Sequence, residues 1–178
     1  MRLSKSRGIN PNFLSALVAQ ESSFNPKAVS PARALGLTQI TPIAVDQLKK
    51  THGLSWKIHP DSRQLSYPEL KLAVNMDYIH NQNDWRLDEK KSLLGAMYYI
   101  EYLDQYWSKA LPVEVDEQTK TDLLTASYNS GPARIKYLFE QDGDNWKSSS
   151  KIKEAIKYYK KVKSYCYSFE HGKQPEKG

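Results

Sequence analysis

The chain has a single cysteine, four histidines without ligand spacing and no long apolar run. Cys166 has no partner for an internal disulfide, and we expect it to be a small packing residue. Without a CxxC motif or a Cys/His cluster no zinc site is predicted, and we expect neither a metal nor a cofactor. Because no segment reaches the roughly 18 apolar residues of a membrane helix, no transmembrane segment is predicted.

The composition is that of an ordinary globular protein. The 178 residues are 39% hydrophobic and 26% charged, which fits one domain with a single core. We expect a monomeric domain over 1–170, followed by a flexible tail over 171–178. The formal charge of +6 favours a polyanionic partner such as nucleic acid, anionic lipid or a carboxylate-bearing cell-wall polymer. No nucleic-acid motif accompanies the basic stretch 151–163, so we expect a solvated face and no nucleic-acid partner.

The pattern of apolar residues, prolines and caps predicts helices and almost no strands. Asn10 is a good N-cap with Pro11 at the first helical position, and this helix is expected to end near Ser22. Further helices are expected over 41–48, 70–78, 93–107, up to 128 and over 152–169. The polar segment between 51 and 67 is punctuated by glycine and proline, which favours loop structure.

Glu21 occupies an unusual position in the first of these helices. Steps of three, four and seven residues back from Glu21 reach Val18, Leu17 and Leu14, so its side chain shares the face that should be buried. Burial disfavours a carboxylate, and we therefore expect a raised pKa for Glu21. A salt-bridged or snorkelling glutamate is the structural alternative.

Three motifs place this unusual glutamate in a family pattern. The stretches ESSFNP, AVSPARALGLTQITP and ASYNSGP resemble the soluble-type lytic transglycosylase (SLT) domain, which is related to goose-type lysozyme. The resemblance extends from GINPNFLSALVAQES to EAIKYYKKV near the end. It implies an all-α, lysozyme-like helical domain with a cleft for peptidoglycan glycan strands. It also implies a location in the periplasm or cell envelope, with a signal or anchor that is absent from this chain and has been removed from it.

The resemblance also implies roles for particular residues. Glu21 falls on the catalytic acid of the family; the implied substrate-binding positions are Ser30, Gln39, Tyr128, Asn129 and Glu154. Gln39 has a carbonyl and an amide for sugar groups, or alternatively caps the next helix. Tyr128 donates a hydrogen bond that orients Glu21, or is a core residue with its hydroxyl at the surface.

The number of carboxylates distinguishes the possible reactions. A glycosidic oxygen leaves only when protonated, and ordinary glycosidases use a second carboxylate beside the acid. A lytic transglycosylase needs only Glu21, which acts as acid and then as base while a 1,6-anhydro ring forms. A hydrolytic muramidase or chitinase would use one of Asp46, Asp77, Asp84 or Asp88 as well. A non-catalytic glycan-binding or secretion-assembly module would keep the cleft without needing Glu21.

The sequence departs from the family pattern at several places. Arg33 stands where glycine is expected, Thr38 where methionine is usual, and Lys91-Ser92 replaces an Asn-Ile pair. Arg33 is interpreted either as a ligand for a peptide-stem carboxylate or as a solvated loop residue. The segment between Gln39 and Gly95 looks longer than in compact relatives, and its aromatic residues either line the cleft or cover the core.

Overall fold

A computed structural model describes residues 7–111 and 115–172. In these ranges seven α-helices form and no strand does, apart from isolated bridges that join Leu35 to Val29 and to Ile40. The α-helices are α1 Pro11–Ser22, α2 Pro42–His52, α3 Tyr67–Asn75, α4 Glu89–Ala110, α5 Glu117–Ser130, α6 Pro132–Asp142 and α7 Lys153–Glu170. Four 3-10 helices complete the set: Pro60–Arg63, Trp85–Leu87, Gly143–Ser148 and Ser150–Ile152.

The starts of α1 and α2 follow the expected capping chemistry. The Asn10 side chain accepts a hydrogen bond from the Asn12 N–H at 2.8 Å, and Pro11 opens the helix. The Thr41 hydroxyl likewise accepts from the Ala44 N–H at 3.2 Å. Each cap satisfies a backbone donor that has no partner inside the helix.

Two parts of the helical prediction were wrong. The helix expected over 70–78 ends at Asn75, because Asp77 adopts a left-handed φ of 57° and turns the chain away. Tyr78 is consequently exposed and donates its hydroxyl to Asp61 at 2.8 Å. The sequence analysis also predicts no helix between 128 and 152, whereas α6 begins at Pro132. Proline at the first helical position costs no hydrogen bond, which explains this second difference.

The chain forms two compact units, Met1–Tyr99 and Ile100–Gly178. The core of the first unit is a buried apolar cluster of Leu35, Leu70, Ala73, Val74, Ile79 and Leu87. In the second unit Trp107 is fully buried and donates its indole N–H to the Ser127 hydroxyl at 3.1 Å. The expected domain over 1–170 stays a prediction, and residues 173–178 of the expected tail lie outside the described residues.

No helix within 7–111 and 115–172 has the length and apolarity needed to cross a bilayer. The same residues bring together no group of three His, Cys, Asp or Glu side chains that could hold a metal ion. Cys166 is half-buried, and burial raises the pKa of its thiol, as suits a packing residue.

A buried ion pair lies in the first unit. The carboxylate of Asp84 and the guanidinium of Arg86 are 0% and 1% exposed, and they meet through bonds of 2.9 and 2.7 Å. Arg86 also donates to the Ser62 hydroxyl at 2.7 Å, while the Asp84 carboxylate accepts from the His59 N–H at 3.3 Å. These extra hydrogen bonds satisfy the ions, and without them a buried pair would lose more hydration energy than it gains.

We predict that Asp84→Asn destabilises the fold far more than Asp46→Asn. The Asp46–Arg63 pair is also bidentate, at 2.9 and 2.7 Å, but its side chains are 49% and 33% exposed. Losing the buried partner should cost about 3–5 kcal/mol, since Arg86 would remain charged and unpaired. The exposed pair should cost less than about 1 kcal/mol. Urea denaturation measures both, and equal losses would contradict the structural role of the buried pair.

Candidate functional site

Glu21 lies in the last turn of α1. The face behind it is buried as expected, since Leu14, Leu17 and Val18 are at most 8% exposed, while Glu21 itself is half-buried. The next residue, Ser22, donates its hydroxyl to the Leu37 carbonyl at 2.8 Å. The end of α1 is thereby attached to the loop that follows it.

That loop carries Ser30 and Gln39, and the structure brings both into one hydrogen-bonded turn system. The Ser30 hydroxyl accepts from the Ala34 N–H at 3.1 Å, so this side chain helps to close the turn. The Gln39 amide nitrogen donates to the carbonyls of Ala28 and Gly36 at 3.1 and 2.9 Å. Both predicted binding residues therefore also support the loop.

The Gln39 side chain has one group left for a ligand. Its amide nitrogen is used within the loop, but its side-chain oxygen makes no hydrogen bond to the described residues. Gln39 does not cap α2, because Thr41 fills that position. The alternative of a capping role is thus wrong, and the side-chain oxygen remains as an acceptor for a sugar N–H or hydroxyl.

The backbone of the site region is strained. Of the described residues other than glycine, five have a left-handed φ, and four of these are Ser23, Phe24, Arg33 and Gln39. Such conformations cost about 1–3 kcal/mol each and persist only where the surroundings enforce them. Arg33, with φ 58°, stands where the family pattern has glycine, and the left-handed conformation explains that preference.

Two departures from the family pattern turn out to be partners. The Thr38 and Ser92 hydroxyls lie 2.9 Å apart, and Thr38 Oγ1 is also 3.1 Å from the Ser92 carbonyl oxygen. Both residues are buried, with Thr38 at 0% and Ser92 at 1% exposure. A polar group at one position requires a partner at the other, so the two changes compensate each other.

The long segment between α2 and α4 donates hydrogen bonds to the loop that carries Ser30 and Gln39 and packs against it. Arg86 donates to the carbonyls of Arg33 and Ile40 at 3.1 and 3.4 Å. Gly36 packs so closely on the Arg86 carbonyl that an added Cβ would lie 1.8 Å from its oxygen. The sequence analysis does not predict this support. The signal that could have indicated a buried ion pair is the alternation of the charged Asp84 and Arg86 with the apolar Trp85 and Leu87.

The aromatic residues of this segment cover the core. Trp85 is 3% exposed, and its ring lies where a Cβ on Gly95 would come within 2.3 Å. Trp56 meets the Trp85 ring edge-on, with ring centroids 5.2 Å apart. His59 caps the following 3-10 helix through its ring nitrogen. The interpretation of Trp85 as a core residue is therefore favoured over that of a cleft aromatic.

The remaining predicted site residues belong to the second unit. Tyr128 is 8% exposed near the end of α5, and Asn129 beside it is exposed and accepts from the Ser130 hydroxyl at 3.1 Å. Glu154 is exposed in the first turn of α7. Their predicted roles at the substrate stay predictions.

The four aspartates considered as second carboxylates all have structural partners. Asp84 is buried against Arg86, and Asp88 accepts from the Lys91 N–H at 2.8 Å. Hydrogen bonds from Arg63 lower the pKa of Asp46, and those from Lys27 lower the pKa of Asp77. The last two are therefore deprotonated at neutral pH, and of the four only Asp84 is kept from a substrate by burial.

The comparison with known families agrees with the motifs. The sequence model of the Transglycosylase SLT domain matches residues 2–151, which is most of the chain. The chain therefore belongs to the Transglycosylase SLT domain family. The match ends three residues before Glu154, so the role predicted for Glu154 rests on sequence resemblance alone.

Individual relatives cover parts of the chain. It is 26% identical over 130 residues to the membrane-bound lytic murein transglycosylase F of Nitrosospira multiformis, across 72% of this chain and 19% of that protein. It is 29% identical over 75 residues to the endo-type membrane-bound lytic murein transglycosylase A of an Enterobacter species, across 42% of this chain and 36% of that protein. The chain thus spans only a fifth to a third of these relatives.

Solved structures agree on the fold. The 70 kDa soluble lytic transglycosylase of Escherichia coli superposes with a TM-score of 0.64 at 22% identity, over 98% of this chain and 24% of that one. An inactive mutant of lytic transglycosylase Slt from Pseudomonas aeruginosa gives a TM-score of 0.58 at 23% identity, with the same coverage. The expected all-α, lysozyme-like fold is confirmed.

We predict that Gly36→Ala costs more stability than Gly53→Ala. Both glycines have a left-handed φ, of 77° and 62°, so both alanines carry the same backbone penalty. Only at Gly36 would the new methyl group meet a backbone carbonyl, whereas nothing lies within 4 Å at Gly53. We expect an additional loss of about 1–3 kcal/mol for Gly36→Ala in urea denaturation. If both variants unfold at the same urea concentration, the close packing against Arg86 is wrong.

Proposed function

We propose that this domain is a peptidoglycan lytic transglycosylase that cleaves the β-1,4 bond between N-acetylmuramic acid and N-acetylglucosamine without water. The observation that carries the proposal is the half-buried Glu21, attached through Ser22 to the loop with Ser30 and Gln39, in a chain of the SLT family. The relatives named for acting on murein support the substrate class. A substrate of this kind would place the protein in the cell envelope.

In the proposed mechanism one carboxyl group performs both proton transfers. Protonated Glu21 donates its proton to the bridging oxygen, and the bond between C1 and that oxygen breaks. The N-acetyl carbonyl of the same muramyl residue stabilises the positive charge at C1. The Glu21 carboxylate then removes the proton of the C6 hydroxyl, whose oxygen attacks C1 and closes the 1,6-anhydro ring. Glu21 is protonated again at the end, so no co-reactant is consumed.

The engagement of the four aspartates favours this reaction over hydrolysis. A hydrolytic glycosidase on the same scaffold needs a second carboxylate to activate water or form a covalent intermediate. Asp84 is inaccessible, while Asp46, Asp77 and Asp88 are bound to neighbouring groups. None of the four belongs to the loop with Ser30 and Gln39, so the hydrolytic alternative has no second carboxylate in that loop. A non-catalytic glycan-binding module remains the other alternative, and it predicts that Glu21 can be replaced without consequence.

The other predicted site residues have auxiliary roles in this proposal. The side-chain oxygen of Gln39 and the hydroxyl proton of Ser30 would contact sugar groups. Tyr128, Asn129 and Glu154 would contact the glycan, as the family resemblance implies. The solved structure of lytic transglycosylase Slt from Pseudomonas aeruginosa is an inactive mutant with one glutamate replaced by glutamine, as expected where a glutamate is essential to the chemistry.

Glu21→Gln tests the assignment of the acid and base. The amide keeps the shape but has no titrating proton, so turnover of peptidoglycan should fall by at least about 10²- to 10⁴-fold. The melting temperature should hold or rise, because the amide relieves the desolvation of a half-buried carboxyl group. Glu101→Gln, another half-buried glutamate on a helix, is the matched control and should leave turnover unchanged. A destabilised but fully active Glu21→Gln variant would sink the mechanism.

The product distinguishes the proposed reaction from hydrolysis. Purified protein incubated with peptidoglycan should release muropeptides with 1,6-anhydro ends, detected by mass spectrometry. Addition of a chelator should not change the rate, since the proposed mechanism uses no metal ion. Exclusive formation of reducing ends would favour the hydrolytic alternative, and loss of activity with chelator would contradict the proposed chemistry.

A further inference from the structure

The outer face of α7 carries a row of lysines. Lys157, Lys160 and Lys161 follow Lys153 by four, seven and eight positions, so these four residues share one side of the helix. All four are exposed, and we call them the lysine stripe. The side of the helix that packs on the core consists of Ala155, Ile156, Tyr158, Tyr159 and Val162.

Most of the net charge of the chain is concentrated here. Residues 151–163 contain six lysines and one glutamate, a formal +5 out of +6 for the whole chain. Like charges three and four positions apart repel each other and weaken a helix. The stripe lysines have no ion pair or side-chain hydrogen bond with other described residues, whereas Lys120, Lys136 and Lys147 of the same unit each pair with an acidic residue. A ligand of opposite charge would remove this repulsion.

We propose that the lysine stripe is a second contact surface for peptidoglycan, which binds the carboxylates of its peptide stems beside the predicted glycan contact Glu154. This inference rests on the proposed function, because it takes its ligand from the same polymer. It replaces the expectation that 151–163 is only a solvated face. The stripe lies beyond residue 151, where the family match ends, so it is a feature of this chain and not of the family model.

Position and side-chain chemistry favour this ligand over others. Lys153 directly precedes Glu154, the predicted glycan contact at the start of α7, so a strand that meets Glu154 can continue onto the stripe. The stripe extends about 12 Å along the helix, long enough to meet more than one carboxylate. It contains no apolar side chain that could enter a bilayer, as interfacial helices have. The exposed aromatic residue of α7, Tyr167, lies outside the stripe. Its ring is stacked on His171, with ring centroids 4.1 Å apart.

The test is a sedimentation assay with purified, insoluble peptidoglycan sacculi at 4 °C. All proteins carry Glu21→Gln, so that the polymer is not digested. Lys153, Lys157, Lys160 and Lys161 are replaced together by glutamine in the test variant. The control variant replaces four exposed lysines of the first unit, Lys49, Lys50, Lys71 and Lys91, and thus has the same change in net charge. Sacculi whose carboxylates have been converted to amides serve as the second control.

We expect the test variant to bind sacculi at least about tenfold more weakly and the control variant to bind within about twofold of the parent. The parent should lose a similar factor on amidated sacculi and in 0.5 M salt, roughly where screening becomes strong. The melting temperature of the test variant should hold or rise, because a repulsion has been removed.

Several outcomes would overturn the proposal. It is wrong if the test variant binds sacculi as tightly as the parent, or if amidation leaves binding intact. Tighter, stripe-dependent binding to vesicles with anionic phospholipid, or to duplex DNA, would assign the surface to a different partner. Because sedimentation at 4 °C measures bound protein and not product, these results are separate from the test of the proposed reaction. Failure of the proposed reaction would appear instead in the products released by the unmodified chain.

Discussion

The buried pair of Asp84 and Arg86 is the interaction on which the first unit depends. Two charges removed from water are tolerable only when every hydrogen-bonding group around them is satisfied. The partners come from separate parts of the chain, namely the His59 N–H, the Ser62 hydroxyl and the carbonyls of Arg33 and Ile40. The loop between α1 and α2 supplies the carbonyls of Arg33 and Ile40. If this loop moved, Arg86 would lose these two hydrogen-bond acceptors, so the conformation of the loop is coupled to the stability of the buried ion pair.

This coupling explains how the candidate site maintains an unfavourable backbone. Arg33 and Gln39 hold left-handed conformations that residues with a side chain rarely adopt. The Arg86 guanidinium donates a hydrogen bond to the Arg33 carbonyl. Gly36, which lies between Arg33 and Gln39 in the chain, packs on the Arg86 carbonyl. The buried contact between Thr38 and Ser92 adds a second attachment to the start of α4. A loop that is already ordered loses little conformational entropy of its own when a sugar ligand binds.

The sequence predicted the features that depend on neighbouring residues. Asn10 was identifiable as a cap because its side chain acts on a backbone N–H two positions away. Family membership was identifiable because its motifs are short and local.

Features that depend on distant partners could not be predicted in this way. Thr38 looked like an isolated departure from the family pattern, since its partner Ser92 is 54 positions away in the chain. Asp84 was considered as a catalytic carboxylate because neither its burial nor the donors around it follow from spacing. The pKa of Glu21 likewise depends on surroundings that a helical pattern only outlines.

The central claim is that Glu21 alone moves the protons and that water takes no part in bond cleavage. Digestion of peptidoglycan in water enriched in heavy oxygen tests it most directly, with mass spectrometry of the newly formed muramyl ends. The account predicts that these ends contain no heavy oxygen, because the C6 oxygen of the substrate closes the ring. Heavy oxygen at C1 of the new ends would show that water had attacked, and would contradict the account.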